Sequence, residues 1–184
     1  MHYDNTAKHF QTLIEHLSLS VDAIADVLGE ATESLVQCIC NEQKVFSCGA
    51  GLDACTANLF SELLRSGAAR ERPTLPVIEL AVASAPPLTS AVTRLCEQLG
   101  ALGQPGDYAV IFGSCLDADS ILTVETMLGK RQMPALWVGT QGSGPSLVFP
   151  GTTATTALSL SHAGAFCLAE LVDITMFGPL EDLS

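Results

Sequence analysis

Apolar residues recur every three or four positions along the first forty residues, which is the spacing of amphipathic helices. Between two such stretches, the segment Ser18–Ser20 can end or cap a helix. We therefore predict an N-terminal pair of helices that needs a partner surface, either on its own domain or on a neighbouring subunit. Their apolar faces are Phe10, Leu13, Ile14 and Leu17, and then Ile24, Val27, Leu28, Ala31, Leu35 and Cys38.

After residue 42 the pattern changes to short apolar runs that alternate with helical stretches. This alternation is typical of a parallel sheet with right-handed crossovers, and so of the α/β class. The predicted strands are Lys44–Cys48, Pro76–Leu80, Tyr108–Phe112, Ala135–Val138 and Ser146–Phe149. The predicted helices are Ala54–Arg65, Pro87–Leu99, Asp117–Leu128 and Ala154–Phe177. We predict one domain over 1–184, with 1–42 serving oligomerisation and 43–184 forming the α/β core.

Composition adds constraints on function to this pattern. The 184 residues carry a net charge of −12, yet only 15% are charged, 48% are hydrophobic and the mean hydropathy is +0.36. Such apolar content excludes a disordered acidic chain, and eight basic residues argue against direct nucleic-acid binding. The apolar excess suggests additional burial, most simply in a homo-oligomer.

The termini, apolar runs and cysteines indicate a cytoplasmic protein. No run approaches the roughly 18 apolar residues of a spanning helix, and Met1–Lys8 lacks the apolar core of a signal peptide. The seven cysteines show no disulfide-framework spacing, so we expect reduced, mostly buried thiols. A redox role for Cys48 or Cys115 stays open, because a nearby helix N-terminus can lower a thiol pKa, although Asp53 and Asp117 oppose it.

Two loops after predicted strands have the composition of anion-binding turns. One runs from Ser47 to Asp53 and the other from Phe112 to Asp117. Ligands of parallel sheets bind outside the carboxyl ends of strands, where backbone N–H groups at glycines can approach an anion. The local sequence favours a simpler interpretation, in which both loops are tight turns and the two aspartates cap helices. The candidate ligand-binding residues are Ser47, Gly49, Gly51, Asp53, Ser114 and Asp117.

Four segments, 44–51, 71–78, 101–107 and 167–177, carry a family resemblance. They read KVFSCGAG, ERPTLPVI, ALGQPGD and CLAELVDITMF. The first three resemble the SIS (sugar isomerase) domain family, in its phosphoheptose isomerase branch and the related DiaA group of DnaA initiator-associating proteins. The fourth resembles the final helix of that group. The resemblance runs through nearly the whole chain and implies a three-layer sandwich with a five-stranded parallel sheet, and a homotetramer with sites between subunits.

The departures from the family concern its phosphate loops. Ala50 and Asp53 stand where the first loop has asparagine and serine, and only Ser114 keeps a hydroxyl in the second, which here ends in Asp117-Ala118. Two carboxylates would then lie where a sugar phosphate binds. Like charges ~4 Å apart repel by about 1 kcal/mol in water and about 4 kcal/mol at an effective dielectric constant of 20. We therefore expect poor phosphate binding.

The residues of isomerase chemistry are also replaced. The family moves a proton between adjacent carbons with a glutamate and a histidine, near a metal site, and such a step needs an acid and a base at the substrate. Ungapped comparison puts Leu59 and Leu63 at the family's histidine and glutamate on the first site helix, and Leu158 and Phe166 at its glutamine and catalytic histidine on the last helix. Glu62 is rotated about 100° around its helix, and His162 lies one turn from Phe166. We predict no catalytic residue, no metal ligand and no cofactor.

The sequence therefore favours a catalytically degenerate SIS-domain adaptor that binds the replication initiator DnaA as a homo-oligomer. Met176 and Phe177 match a Leu-Phe pair of the DiaA group and would be its apolar anchors. Packing of Phe177 beneath the following Gly-Pro turn is an equally good interpretation. The alternatives are a phosphoheptose (sedoheptulose 7-phosphate) isomerase and a sensor that binds a sugar phosphate or another small ligand.

Three further groups of residues have simpler interpretations. Cys38 and Cys40 diverge on a helix and are expected in the core rather than on a metal. The histidines at positions 2, 9 and 16 form a polar or interface face. The segment Glu71–Pro73 is either a subunit-contact loop or a solvated turn.

Overall fold

A computed structural model describes residues 2–67, 70–82 and 87–179. The five helices are α1 His2–Cys40, α2 Asp53–Ser66, α3 Leu88–Leu102, α4 Ala118–Arg131 and α5 Ala154–Phe177. The five strands are β1 Val45–Ala50, β2 Val77–Val82, β3 Tyr108–Phe112, β4 Ala135–Val138 and β5 Ser146–Leu147. The predicted fold class is confirmed, and the predicted strands and core helices begin and end within a few residues of the observed ones.

The strands form one parallel sheet in the order β2-β1-β3-β4-β5. Every residue of β1 and β3 is buried, because both strands lie inside the sheet and are covered on both faces. Alternate side chains point to opposite layers: Val110 and Phe112 pack with α1, α2 and α5, whereas Ala109 and Ile111 pack with α3 and α4. The molecule is thus a three-layer sandwich.

The predicted N-terminal helical pair is wrong, because α1 is one helix of 39 residues. The segment Ser18–Ser20 is helical, and Ser20 is buried. Serine costs a helix interior only about half a kcal/mol relative to alanine, and the segment contains neither glycine nor proline. The continuous helix therefore extends well beyond the domain that its second half covers.

An apolar stripe runs along the whole of α1 at alternating spacings of four and three residues, the repeat of a coiled-coil seam. We call it the α1 seam. Its members are Tyr3, Ala7, Phe10, Ile14, Leu17, Val21, Ile24, Leu28, Ala31, Leu35 and Cys38. The last four members are buried in the domain core, whereas Tyr3, Phe10, Ile14 and Val21 are between 52% and 83% exposed. The same surface is thus a core face at one end and unpartnered at the other.

Helix α5 is long and apolar enough, by length and composition alone, for a membrane-crossing helix. It is the one such helix of the described residues, and 44% of its most apolar stretch is buried in the domain. Leu160, Leu168 and Val172 are each at most 1% exposed and lie between α1, α2 and the sheet. The apolar character of α5 therefore reflects its place in the domain core.

Candidate functional site

The strand order creates a crevice between β1 and β3. From β1 the chain continues to β2 on one side, and from β3 it continues to β4 on the other, so the loops after β1 and β3 diverge. Ligands of doubly wound sheets bind outside the carboxyl ends of the strands at such a switch point. The two candidate loops of the sequence lie here, since Asp53 follows β1 and Ser114 follows β3.

The Asp53 side chain bridges this crevice. One carboxylate oxygen accepts a hydrogen bond from the Ser114 N–H at 3.1 Å, and the other accepts one from the Cys115 N–H at 2.9 Å. Asp53 is fully buried. No Lys, Arg or His of the described residues forms an ion pair with it. Two consecutive backbone N–H groups therefore hold a buried carboxylate that has no positively charged neighbour.

Burial sets the ionisation of Asp53. Loss of water raises the pKa of its carboxyl, and the hydrogen bonds from Cys115 and Ser114 lower it by less than burial raises it. Because the folded-state pKa exceeds that of a free aspartate, the protein loses stability as pH rises from the ordinary value through the raised one. The ionised carboxylate thus has a net cost in stability, which the two N–H groups reduce.

Two glycines allow β1 and α2 to approach this closely. A Cβ atom on Gly49 would lie 2.4 Å from the carbonyl oxygen of Asp53, which is too close for any side chain. Gly51 has φ +64° in the turn between the strand and the helix. Close chain packing therefore accounts for both glycines, and neither requires a ligand.

Asp117 does not face the crevice, which corrects the expectation that two carboxylates lie at the phosphate position. It is the N-cap of α4, and its side chain accepts a hydrogen bond from the Ser120 N–H at 2.9 Å. Hydrogen bonds from the Ser120 hydroxyl and then from the Ser120 N–H lower the pKa of Asp117, which is exposed to solvent. The capping interpretation therefore holds for Asp117 but not for Asp53, because the N-cap of α2 is Leu52 and has no side-chain cap.

The three serines near the crevice have different roles. Ser47 is buried inside the domain, and its hydroxyl donates a hydrogen bond to the Ala57 carbonyl of α2 at 2.6 Å. The Ser114 and Ser161 hydroxyls lie 2.9 Å apart beside Gly139, where a Cβ atom would be 2.1 Å from the Ser114 hydroxyl. Sequence reasoning missed Ser161, although it lies beside His162 among the small residues of the buried face of α5.

The positions compared with the family's acid and base carry no such group. Leu158, His162 and Phe166 lie on successive turns of α5, and Phe166 is 48% exposed. The Nδ1 atom of His162 lies 3.0 Å from the Thr56 hydroxyl and 2.9 Å from the Leu158 carbonyl. On α2, Leu59 and Leu63 pack in the core.

The remaining acidic and thiol groups offer no second catalytic set. Glu62 is exposed and pairs with Arg65 on the surface of α2. Burial raises the pKa of Cys48, and burial together with the Asp53 charge raises that of Cys115, so both favour the protonated thiol. Within the described residues, no three His, Cys, Asp or Glu side chains converge as a metal site requires.

The end of α5 is fixed by two arginines of the loop before β2. Arg70 donates to the carbonyl oxygens of Phe177 and Gly178, and the Arg72 guanidinium lies 5.7 Å from the centre of the Phe177 ring. Phe177 is 37% exposed, and Met176 is half-buried against the core. Two apolar side chains are thus held in place at a helix end, with one ring partly open to solvent.

The Arg72 side chain is buried, whereas its neighbours Glu71 and Pro73 are exposed, so both a subunit-contact loop and a solvated turn stay predictions for those two residues. The Arg72 Nε atom lies 2.7 Å from a carboxylate oxygen of Asp173, and both side chains are at most 8% exposed. Arg72 also donates to the Leu63 and Leu64 carbonyls at the end of α2. One side chain therefore joins α2, α5 and the loop before β2.

Comparisons with known proteins agree with this geometry. No family model matches the chain. A phosphoheptose isomerase of Chromohalobacter salexigens is 26% identical over 94% of this chain and 95% of its own length. One from Methylococcus capsulatus is also 26% identical, over 96% and 98% of the two chains. The structure of a phosphoheptose isomerase from Francisella tularensis superposes with a TM-score of 0.80 at 20% identity, covering 94% of this chain and 98% of that one. The chain is thus similar over nearly its whole length to phosphoheptose isomerases, and it shares the fold of that group.

Proposed function

We propose that this chain is a non-catalytic SIS-domain protein that acts as a homo-oligomeric adaptor in the cytoplasm. The observation that carries the proposal is that the positions compared with the family's acid and base hold the apolar residues Leu59, Leu63 and Phe166, while the Asp53 side chain fills the switch-point crevice. A proton shuttle between adjacent carbons needs an acid and a base within hydrogen-bond reach of the substrate. His162 alone does not supply both.

The α1 seam supports the homo-oligomer. Its exposed half continues a stripe that is buried further along the same helix, so a matching helix of a second copy fits it directly. Ile14 and Val21 occupy one set of seam positions and Phe10 and Leu17 the other, which suits helix pairing. We propose a homotetramer, in agreement with the sequence resemblance.

The end of α5 is the proposed binding surface for DnaA. Phe177 presents part of its ring to solvent, while Arg72 lies against the ring and Arg70 bonds to the backbone carbonyls, so little side-chain freedom is lost on binding. Partly exposed aromatic residues on a rigid support are common anchors of protein interfaces. Met176 and Phe177 also match the apolar pair of the DiaA group in sequence.

A pull-down with immobilised DnaA tests the adaptor. We expect the wild type to be retained and the Met176→Ala/Phe177→Ala variant to bind at least about tenfold more weakly, since two anchors are removed. Leu122→Ala is the matched control, because Leu122 is a 62% exposed apolar residue on α4, and it should bind as the wild type does. Absence of wild-type binding, or undiminished binding by the double variant, would contradict the adaptor proposal.

The second candidate function is that of a phosphoheptose isomerase. The names of the Chromohalobacter and Methylococcus relatives favour it. It requires a catalytic base other than the residues at the family positions, and a phosphate site that Asp53 leaves open. A sensor of sugar phosphates requires only the open phosphate site.

A further inference from the structure

The Asp53 carboxylate lies where a bound anion would lie in a fold of this topology. It spans the switch-point crevice, and each of its oxygens takes one N–H of two consecutive residues, Ser114 and Cys115. The hydroxyl pair of Ser114 and Ser161 lies beside these N–H groups. We call these two N–H groups and two hydroxyls the cradle.

The arrangement differs from that of an ordinary helix cap. Asp53 and Asp117 each follow a glycine-containing turn at the start of a helix, yet only Asp117 bonds to its own helix. Asp53 leaves α2 without a side-chain cap and reaches across to the loop after β3. It does so with no cation beside it among the described residues, so backbone dipoles are the main compensation for its charge.

We propose that Asp53 is a specificity-determining residue: an internal carboxylate that occupies the cradle and thereby excludes phosphate monoesters from it. The two N–H groups that would hold a phosphate are retained, but they are already bound to the Asp53 carboxylate, while the Ser161 hydroxyl donates to the Ala157 carbonyl. An incoming phosphate would have to displace a tethered carboxylate and accept its negative charge as a neighbour. This inference deepens the proposed loss of catalysis. It rests on that proposal only in taking the crevice between β1 and β3 as the site of the lost chemistry.

Replacing Asp53 with serine should open the cradle. The Asp53→Ser variant loses the charge and most of the occupying volume, and the N–H groups of Ser114 and Cys115 become free. We expect inorganic phosphate, titrated calorimetrically, to bind this variant at least about tenfold more tightly than the wild type. Asp117→Ser is the matched control, since it removes the same charge nearby and keeps a capping hydroxyl, and it should bind phosphate no better than the wild type.

Two further measurements cover the case in which Asp53→Ser does not fold. Asp53→Asn keeps the side-chain volume and one acceptor. It should bind phosphate more tightly than the wild type, by a smaller factor than Asp53→Ser does. In the wild type, the NMR resonances of the Ser114 and Cys115 amides should not move when phosphate is added at millimolar concentration.

The outcomes separate this inference from the proposed function. Equal phosphate affinity for the folded Asp53 variant and Asp117→Ser would overturn the role of Asp53, and so would phosphate-induced shifts of the two wild-type amides. Isomerisation by the wild type would instead overturn the non-catalytic proposal. A gain of affinity confined to the Asp53 variants supports the inference.

Discussion

We expect an Ile14→Glu variant to run as a 19.3 kDa monomer and the wild type to run as a larger oligomer. Ile14 belongs to the exposed half of the α1 seam and is 61% exposed in the single chain. Burying an isoleucine side chain stabilises an interface by about 1.5–3 kcal/mol per copy. The glutamate removes that gain and places like charges against one another where helices of two copies meet.

Light scattering coupled to size-exclusion chromatography measures the mass, with Leu19→Glu as the control. Leu19 is 84% exposed and lies on the side of α1 away from the seam, so the same kind of substitution should leave the mass unchanged. A wild-type mass of one chain would contradict the proposal, and so would an Ile14→Glu variant that keeps the oligomer.

Removal of the Arg72 side chain should be among the most destabilising single changes in the domain. Its guanidinium pairs with Asp173 and bonds to the Leu63 and Leu64 carbonyls, and the pair is almost completely buried. Breaking one partner of a buried pair leaves an uncompensated charge, which typically costs about 3–5 kcal/mol. We therefore expect Arg72→Ala to lower the free energy of unfolding by about that amount in urea denaturation at fixed protein concentration.

Arg65→Ala is the control for this prediction. Arg65 pairs with Glu62 on the exposed surface of α2, and such pairs contribute only about 0–1 kcal/mol. Equal losses for Arg72→Ala and Arg65→Ala would contradict the structural role given to the buried pair. Arg72→Ala should also weaken the proposed binding of DnaA, because Arg72 supports the Phe177 ring.

The sequence predicted the sheet and its covering helices because their signals are local. Short β-branched and aromatic runs bounded by glycine or proline marked β3 and β4 at their observed ends. The continuity of α1 was missed because Ser18 and Ser20 were given too much weight as a break. The four-three spacing of Phe10, Ile14, Leu17 and Val21 runs through that break and could have shown one helix.

The site was predicted only in part, because the different roles of Asp53 and Asp117 arise from packing. Asp53 and Asp117 have similar local sequences, and nothing local distinguishes a cap from a side chain that crosses to another strand. The pairing of β1 with β3 brings Ser114 and Cys115 within reach of Asp53, and this contact joins residues 61 and 62 positions apart. Ser161 was missed for the same reason, since its partner Ser114 is 47 positions away.

Turnover of sedoheptulose 7-phosphate most directly tests the proposal that this protein lacks isomerase chemistry. The wild-type protein would be incubated with the sugar phosphate, with and without added zinc, and the product followed by NMR. The Methylococcus relative, assayed in parallel, shows whether the conditions support turnover. We predict no product above the protein-free background in either condition, because Leu59, Leu63 and Phe166 supply neither acid nor base and Asp53 fills the cradle. Product formed at a rate proportional to the concentration of this protein would contradict the account.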